Sequence, residues 1–298
     1  MHIPTRNGVG PSCVSLPAGP WPTVLDFLVE RMPGISREEW LDRLRHQLVL
    51  DDLAQPVCAD DNYRPYTKLF YYRHIDNEPA LPSQAHILFE DAHLLVADKP
   101  HFMPVTPAGR YVQQSLLVQL KQLTGNDDLV PLHRIDRETA GLVLLGKRVQ
   151  DRDAYHALFR DKHIRKVYHA VASFDPDVSW PRIHTSRLVA GTPFFRMREV
   201  PGQANSETRI SLLKSEGQHG LYQLEPVTGK RHQLRVHMLS LGLPLQGDLF
   251  YPTVLRGPDE AEDFSQPLQL LAHSVMFTDP HTRQVRSFSS QLGLSITL

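Results

Sequence analysis

Two cysteines in 298 residues, Cys13 and Cys58, are too few for a disulfide framework, and no CxxC pair offers a zinc spacing. No apolar run approaches the ~20 residues that a membrane-spanning helix requires, so no membrane segment is expected. The first eight residues, Met1 to Gly8, lack an apolar signal core, which points to a cytoplasmic protein. No segment repeats at a fixed period. Net charge is also missing: 32 Lys and Arg stand against 33 Asp and Glu. That balance does not announce a nucleic-acid partner, yet distribution matters more than the sum. Basic side chains crowd into Arg160–Lys166 and Lys230–His237, whereas acidic ones gather at Asp51-Asp52, Asp60-Asp61 and Asp259–Asp263. The histidines follow no ligand spacing such as HExxH, so no metal is expected. What remains, 41% apolar and 22% charged residues, is ordinary for a soluble globular chain with room for one large domain and one small one.

Residues 1–20, rich in Gly, Pro and Ser without periodicity, read as an irregular leader. From Thr23, the spacing of Val24, Leu25, Phe27 and Leu28 predicts a helix that stops at Pro33-Gly34. Ser36 and Glu39 form a capping box for a second helix, whose apolar stripe is Trp40, Leu41, Leu44 and Leu48. With strand-like pieces over 48–50 and 68–73, residues 21–82 make a small α/β module ending in a proline-bearing linker. Residues 83–298 then form the main domain. It opens with a hairpin, Ile87–Phe89 and Leu94–Ala97, followed by a stiff loop through Pro100, Pro104 and Pro107 and a helix over 112–123. A helix over 149–161 and strands over 164–172, 205–213, 220–227 and 268–277 follow, with a further helix entered from a turn at Thr228-Gly229. Residues 174–203, broken by Pro and Gly, carry little signal.

At the centre lies Pro131–Lys147. It sets one carboxylate, Asp136, between two guanidinium groups, Arg134 and Arg137, just ahead of an uncharged run, Leu142–Leu145, bounded by Gly141 and Gly146. That run has the length and flanks of a buried strand. Asp136 therefore sits on a loop with a rigid mount, where catalytic groups are commonly found. An Asp between arginines also serves as a plain ion-pair partner, and its neighbours alone leave both roles open. In the strand over 164–172, alternation puts Lys166, Tyr168 and Ala170 on one face. A Lys and a Tyr so placed suit a phosphate and an aromatic base, or simply solvent. Arg231 and Arg235, four apart, are expected on one face of the helix after the 228–229 turn, and a turn opening into a basic helix is a ready anion site. His133-Arg134-Ile135-Asp136 is not a kinase catalytic loop. Its Asp stands one residue too late, and neither a Gly-rich phosphate loop nor a DFG accompanies it.

The residues from His133 to Gly141, HRIDRETAG, resemble the signature of the RluA-type pseudouridine synthases. Glu90-Asp91 followed by Lys99-Pro100 is similar to that family's opening strands, and Lys166-Val167-Tyr168 to its lysine and tyrosine. Thr228 to His237, followed by Gly247-Asp248 and Tyr251, is similar to its arginine helix and loop. These ordered motifs span about residues 86–280. Ile135 stands where the family often has Leu, and Lys230 where it usually has Arg, both keeping size or charge.

The resemblance implies an α+β pseudouridine synthase fold, a mixed and mostly antiparallel sheet flanked by helices. It implies an RNA isomerase that needs no metal or organic cofactor. Asp136 is then the catalytic carboxylate, attacking base or sugar or only assisting elimination, and Arg235 the opposite charge that keeps it ionised in a closed pocket. Tyr168 lies against the uracil and carries its proton. Arg134, with His133 beside it, becomes the wedge for an extruded uridine or a hand on its phosphate, while Lys166, Arg231 and His232 hold the flanking backbone. The implied partner is structured RNA, ribosomal or transfer RNA; a monomer is expected separately from the resemblance. The N-terminal module is similar, more loosely, to a small RNA-binding domain, although it has acidic pairs and no strong basic run. The alternative is a catalytically inactive RNA-binding or assembly protein on the same fold, which binding without turnover identifies.

Overall fold

The computed structural model describes residues 3–73, 78–257, 260 and 262–294. Residues 1 and 2 of the expected leader, and Asp259 and Ala261 of the acidic run, lie outside them. The chain divides into two units, the first running to Glu78 and reclaiming Gly109–Gln113, the second comprising Pro79–Ala108 and everything from Gln114. Among the described residues, no helix is long and apolar enough to cross a membrane.

The first unit holds strand β1 (Ser12–Ser15), helices α1 (Val24–Arg31) and α2 (Arg37–Arg45), and strands β2 (Val49–Leu50) and β3 (Lys68–Tyr71). The three strands form an antiparallel sheet in the order β1-β3-β2. The expected irregular leader is thus corrected. Ser12–Ser15 pairs with β3 from Tyr71 to Lys68, and Leu16 enters the core with Phe27, Leu28 and Trp40. Strand pairing depends on a partner more than 50 residues away, which local composition does not reveal. The capping box forms as expected, with the Glu39 amide donating to Ser36 Oγ and the Ser36 amide to Glu39 Oε2.

The second unit contains β4 (His86–Glu90), β5 (Leu94–Lys99), α3 (Leu116–Thr124), β6 (Val130–Pro131), β7 (Ala140–Gly146), α4 (Arg152–Arg160) and β8 (Ile164–Ser173). Then come β9 (Arg182–Ala190), β10 (Met197–Val200), β11 (Ser206–Glu216), β12 (His219–Pro226), α5 (Gln233–Ser240), β13 (Leu270–Thr278) and β14 (Val285–Ser289). Its sheet runs β10-β9-β11-β12-β8-β13-β7-β5-β4, with β14 on β13 and β6 on β7. Among the described residues, all pairings are antiparallel except β13 with β7. The low-signal stretch 174–203 thus supplies two strands, β9 and β10. The helix expected over 112–123 begins only at Leu116, because Val112 and Gln113 donate their amides to the Glu78 carboxylate in the first unit.

Strands β5 and β7 are buried on both faces, which explains their unbroken apolar runs. Leu94, Val96, Leu142 and Leu144 pack under α4 through Tyr155 and Leu158, while Leu95, Ala97, Val143 and Leu145 pack under α3 through Leu116 and Leu120. At ~1.5–3 kcal/mol for each large side chain buried, these two strands make a stiff base for the loop that precedes β7.

Candidate active site

Three elements converge on one cleft of about 970 Å³: the loop before β7, the first half of β8, and the turn that opens α5. Their junction is fixed by a close backbone approach. The parallel pairing, the only one among the described residues, touches Gly141 to Ala272, and Ala272 also pairs with Tyr168 on β8. Gly141 has φ +109°, and a Cβ there would stand 2.3 Å from the Ala272 carbonyl oxygen. Only glycine fits, and its fit sets the Asp136 loop beside Tyr168.

Asp136 Oδ2 accepts from Arg235 Nη1 at 3.2 Å and lies 3.9 Å from His232 Nε2. Arg235 is itself locked. Its Nε and Nη2 donate to the two Asp248 carboxylate oxygens at 2.8 and 2.6 Å, and Glu138 Oε2 lies 3.8 Å from Nη1. Its side chain is 1% exposed. Burial works against the Arg235 charge, but the bonds from Asp248 and the charges of Asp136 and Glu138 outweigh it and hold the guanidinium above its ordinary value. Asp248 is held in turn by the Phe250 and Tyr251 amides. Its loop turns at Gly247, φ +72°, where a Cβ would meet the Pro267 carbonyl at 2.3 Å.

Lys166 and Tyr168 both face the cleft. Burial, then the Asp136 charge, pushes the Tyr168 phenol up, so it stays protonated near neutrality. Burial pushes the Lys166 amine down. His133 lines the cleft too, but its Nε2 accepts the Leu144 amide at 3.1 Å and its ring stacks on Phe159. Burial, then the Lys166 charge, brings its pKa down to about 3, so the ring is neutral.

One local expectation fails. Arg231 and Arg235 do not share a helix face, because α5 begins at Gln233 and the residue before it, His232, is left-handed at φ +52°. The Gln233 side chain makes this turn, accepting from the Lys230 amide and the Thr228 hydroxyl and donating to Glu207 O and Thr208 Oγ1. Arg231 instead donates to the Phe194 and Arg196 carbonyls at the cleft rim. His232 Nδ1 bonds the Tyr251 hydroxyl at 2.9 Å, and burial lowers its pKa.

Asp248, Glu138 and Lys99 stand in the motifs quoted above but were given no role in the site. Lys99 is fully buried at the end of β5, where its amine donates to the Arg137 carbonyl at 3.2 Å and so ties down the residue after Asp136. Burial brings it down to about 7 against the pull of Glu138 and Asp136. A lysine closing an apolar strand was the one available signal. Asp248 offered none beyond the motif, since nothing local marks an Asp thirteen residues from its arginine.

Among the described residues, eight Lys or Arg side chains line the cleft and Asp136 is the one carboxylate in its lining. Arg137 pairs with Glu138 and Glu262, Arg160 with Asp153 and Asp161, and Arg235 with Asp248, which leaves Arg134, Lys162, Lys166, Lys230 and Arg231 as cations without a carboxylate partner. This is the positive face that a net charge of −1 conceals. Outside it, His93, Asp151 and His281, and likewise His184, Glu199 and His237, cluster closely enough to hold a metal ion. In each, a histidine nitrogen already meets a carboxylate oxygen at 2.8 Å.

Residues 93–240 match the family described as RNA pseudouridylate synthase. An uncharacterized RNA pseudouridine synthase of Synechocystis is 30% identical over 76% of this chain and 79% of its own. The dual-specificity RNA pseudouridine synthase RluA of Vibrio cholerae is 30% identical over 67% and 80%. The solved structure of human RNA pseudouridylate synthase domain containing 1 shares the fold, with a TM-score of 0.57 at 21% identity over 72% of this chain and 86% of that one. The mixed sheet, the basic cleft around one anchored carboxylate and these relatives agree: the chain belongs to the RluA-type RNA pseudouridine synthases, isomerases that act on RNA.

Proposed function

We propose that this chain converts uridines in folded ribosomal or transfer RNA to pseudouridine through Asp136, working as a cytoplasmic monomer. The observation that carries the reading is the Asp136 carboxylate, open to a basic cleft and held by an arginine that is itself clamped by Asp248. In the reaction, the bond from uracil N1 to ribose C1′ breaks, the base turns, and C5 bonds to C1′. C5 loses its proton and N1 gains one, so no net atom or electron leaves. Asp136 acts on the ring or sugar as the glycosidic bond opens, with Arg235 holding its charge in place. Tyr168 relays the C5 proton. As a neutral phenol it accepts that proton only while passing its own onward, and it is neutral again afterwards.

Extruding the uridine from its stack costs a few kcal/mol. Among the described residues, Arg134, Lys162, Lys166 and Lys230 line the cleft without an ion-pair or hydrogen-bond partner for their cationic heads. These supply the contacts to phosphate, with Arg134 nearest Asp136 in the chain as the wedge. His133 shapes the floor, and Arg231 and His232 hold the turn on which Lys230 stands.

The test is tritium release from unmodified ribosomal and transfer RNA labelled at uracil C5, comparing wild type with Asp136→Asn. Release by wild type alone supports the reading and identifies the RNA class. Equal release by the variant removes Asp136 from the mechanism.

A further inference from the structure

We infer that the cleft continues into a second RNA subsite, at the start of β8 beside β11, β12, β13 and β14, which holds single-stranded nucleotides flanking the target uridine. This rests on the reading that the main cleft takes RNA. A cavity of about 520 Å³ opens there. Lys162, Lys166, Pro226 and Val227 line both cavities, so the two adjoin across a saddle that carries two amino groups. An RNA strand leaving the main cleft over this saddle would bring its phosphates past both lysines.

The far side has the chemistry of a strand track. Arg165 and Arg209 line it against one carboxylate, Glu225. Arg165 donates to both Glu225 oxygens, at 2.9 and 3.0 Å. Arg209 shares that same carboxylate through its charge, so among the described residues the two arginines and two lysines face one acid and leave an excess of positive charge. Arg209 is exposed on β11, in register with Glu225. The same cavity is walled by Met276 and Val285, which are 42% and 69% exposed. Exposed apolar side chains beside unmatched cations suit unstacked bases on a phosphate chain, the composition of a single-strand groove. A duplex would offer only phosphates to such a wall, and a divalent cation would find just one carboxylate, already doubly bonded to an arginine.

The test uses fluorescein-labelled oligouridylates of roughly 4 to 16 nucleotides, bound to the full-length Asp136→Asn protein so that turnover does not intrude. Binding is read by anisotropy across a salt series. Affinity is expected to rise with length in this background. Adding Arg209→Glu and Val285→Glu is expected to flatten that rise, with the longest RNA losing about 5- to 10-fold and its salt slope falling by about one. Val285→Gln alone, which adds no charge, separates apolar contact from charge, and is expected to weaken the long RNA while leaving the slope within a few tenths. The proposal is overturned if affinity does not grow with length, or if the double variant weakens short and long RNA by the same factor. Tritium release by wild type reports separately on the isomerase reading, so loss of one result does not obscure the other.

Discussion

Two sets of cations in one cleft have opposite designs. Arg235 is buried, bonded to Asp248 and Asp136, and has no freedom to move. Arg134 and Lys230 are exposed at the rim, and their cationic heads meet no partner among the described residues. A buried guanidinium must be matched, because desolvation costs more than a single attraction returns. Matching fixes its position, which suits a group that must place one carboxylate. An unmatched surface cation keeps its water and mobility, which suits contact with a phosphate chain of variable path. The fixed set serves chemistry and the free set serves binding.

Substitutions at the two sets are the way to break that contrast. Asp136→Asn keeps the shape and hydrogen-bonding capacity of the fixed set but removes its reacting charge. It is expected to lower single-turnover tritium release by about 10³-fold with RNA affinity little changed. A drop of affinity as large as the drop in rate would show that the two sets are not separable. Asp248→Ala leaves Arg235 buried with less than its full complement of charge. Urea unfolding is expected to lose about 3–5 kcal/mol, and a loss under about 1 kcal/mol would mean that Arg235 does not depend on its clamp.

The neutral member of the floor gives a pH signature. His133 has its folded pKa at about 3, below the ordinary value. The unfolded chain therefore takes up the proton first as pH falls. Stability from this residue is complete above the unfolded value, ~6.5, and is lost progressively as pH falls towards 3. Between pH 6.5 and 5 the loss is about 2 kcal/mol. His133→Gln, which can still accept the Leu144 amide, is expected to remove this part of the acid sensitivity in urea melts. An unchanged pH profile would place the sensitivity elsewhere. The smallest effects belong to the rim: Lys162→Ala and Lys230→Ala are each expected to weaken RNA binding alike for all sequences and to lower the salt slope by about one. A sequence-dependent loss would turn either residue from a backbone contact into a base reader.

Much of this site was legible because it is local. The Asp136 loop and the buried run after it stand within a dozen residues, and the alternation of β8 places Lys166 and Tyr168 together. Arg231 misled because the 3.6-residue period assumes a helix already under way, whereas the left-handed His232 delays its start. Strands β9 and β10 stayed hidden because their half-exposed faces carry polar residues between prolines. The β1 strand stayed hidden because its pairing partner lies far along the chain.

By itself, then, the sequence determined the motif residues, the buried strand that carries Asp136, and the family to which these point, since each depends on spacing over a few turns or one strand. Tertiary structure alone decided that Asp248 clamps Arg235, that Lys99 ties the Asp136 loop, and that four cations with no partner among the described residues line one cleft in a chain of almost no net charge. Charge and hydrogen bonding act through space over a few ångströms, and only the folded sheet, pinned where Gly141 meets Ala272, brings residues a hundred positions apart within that reach.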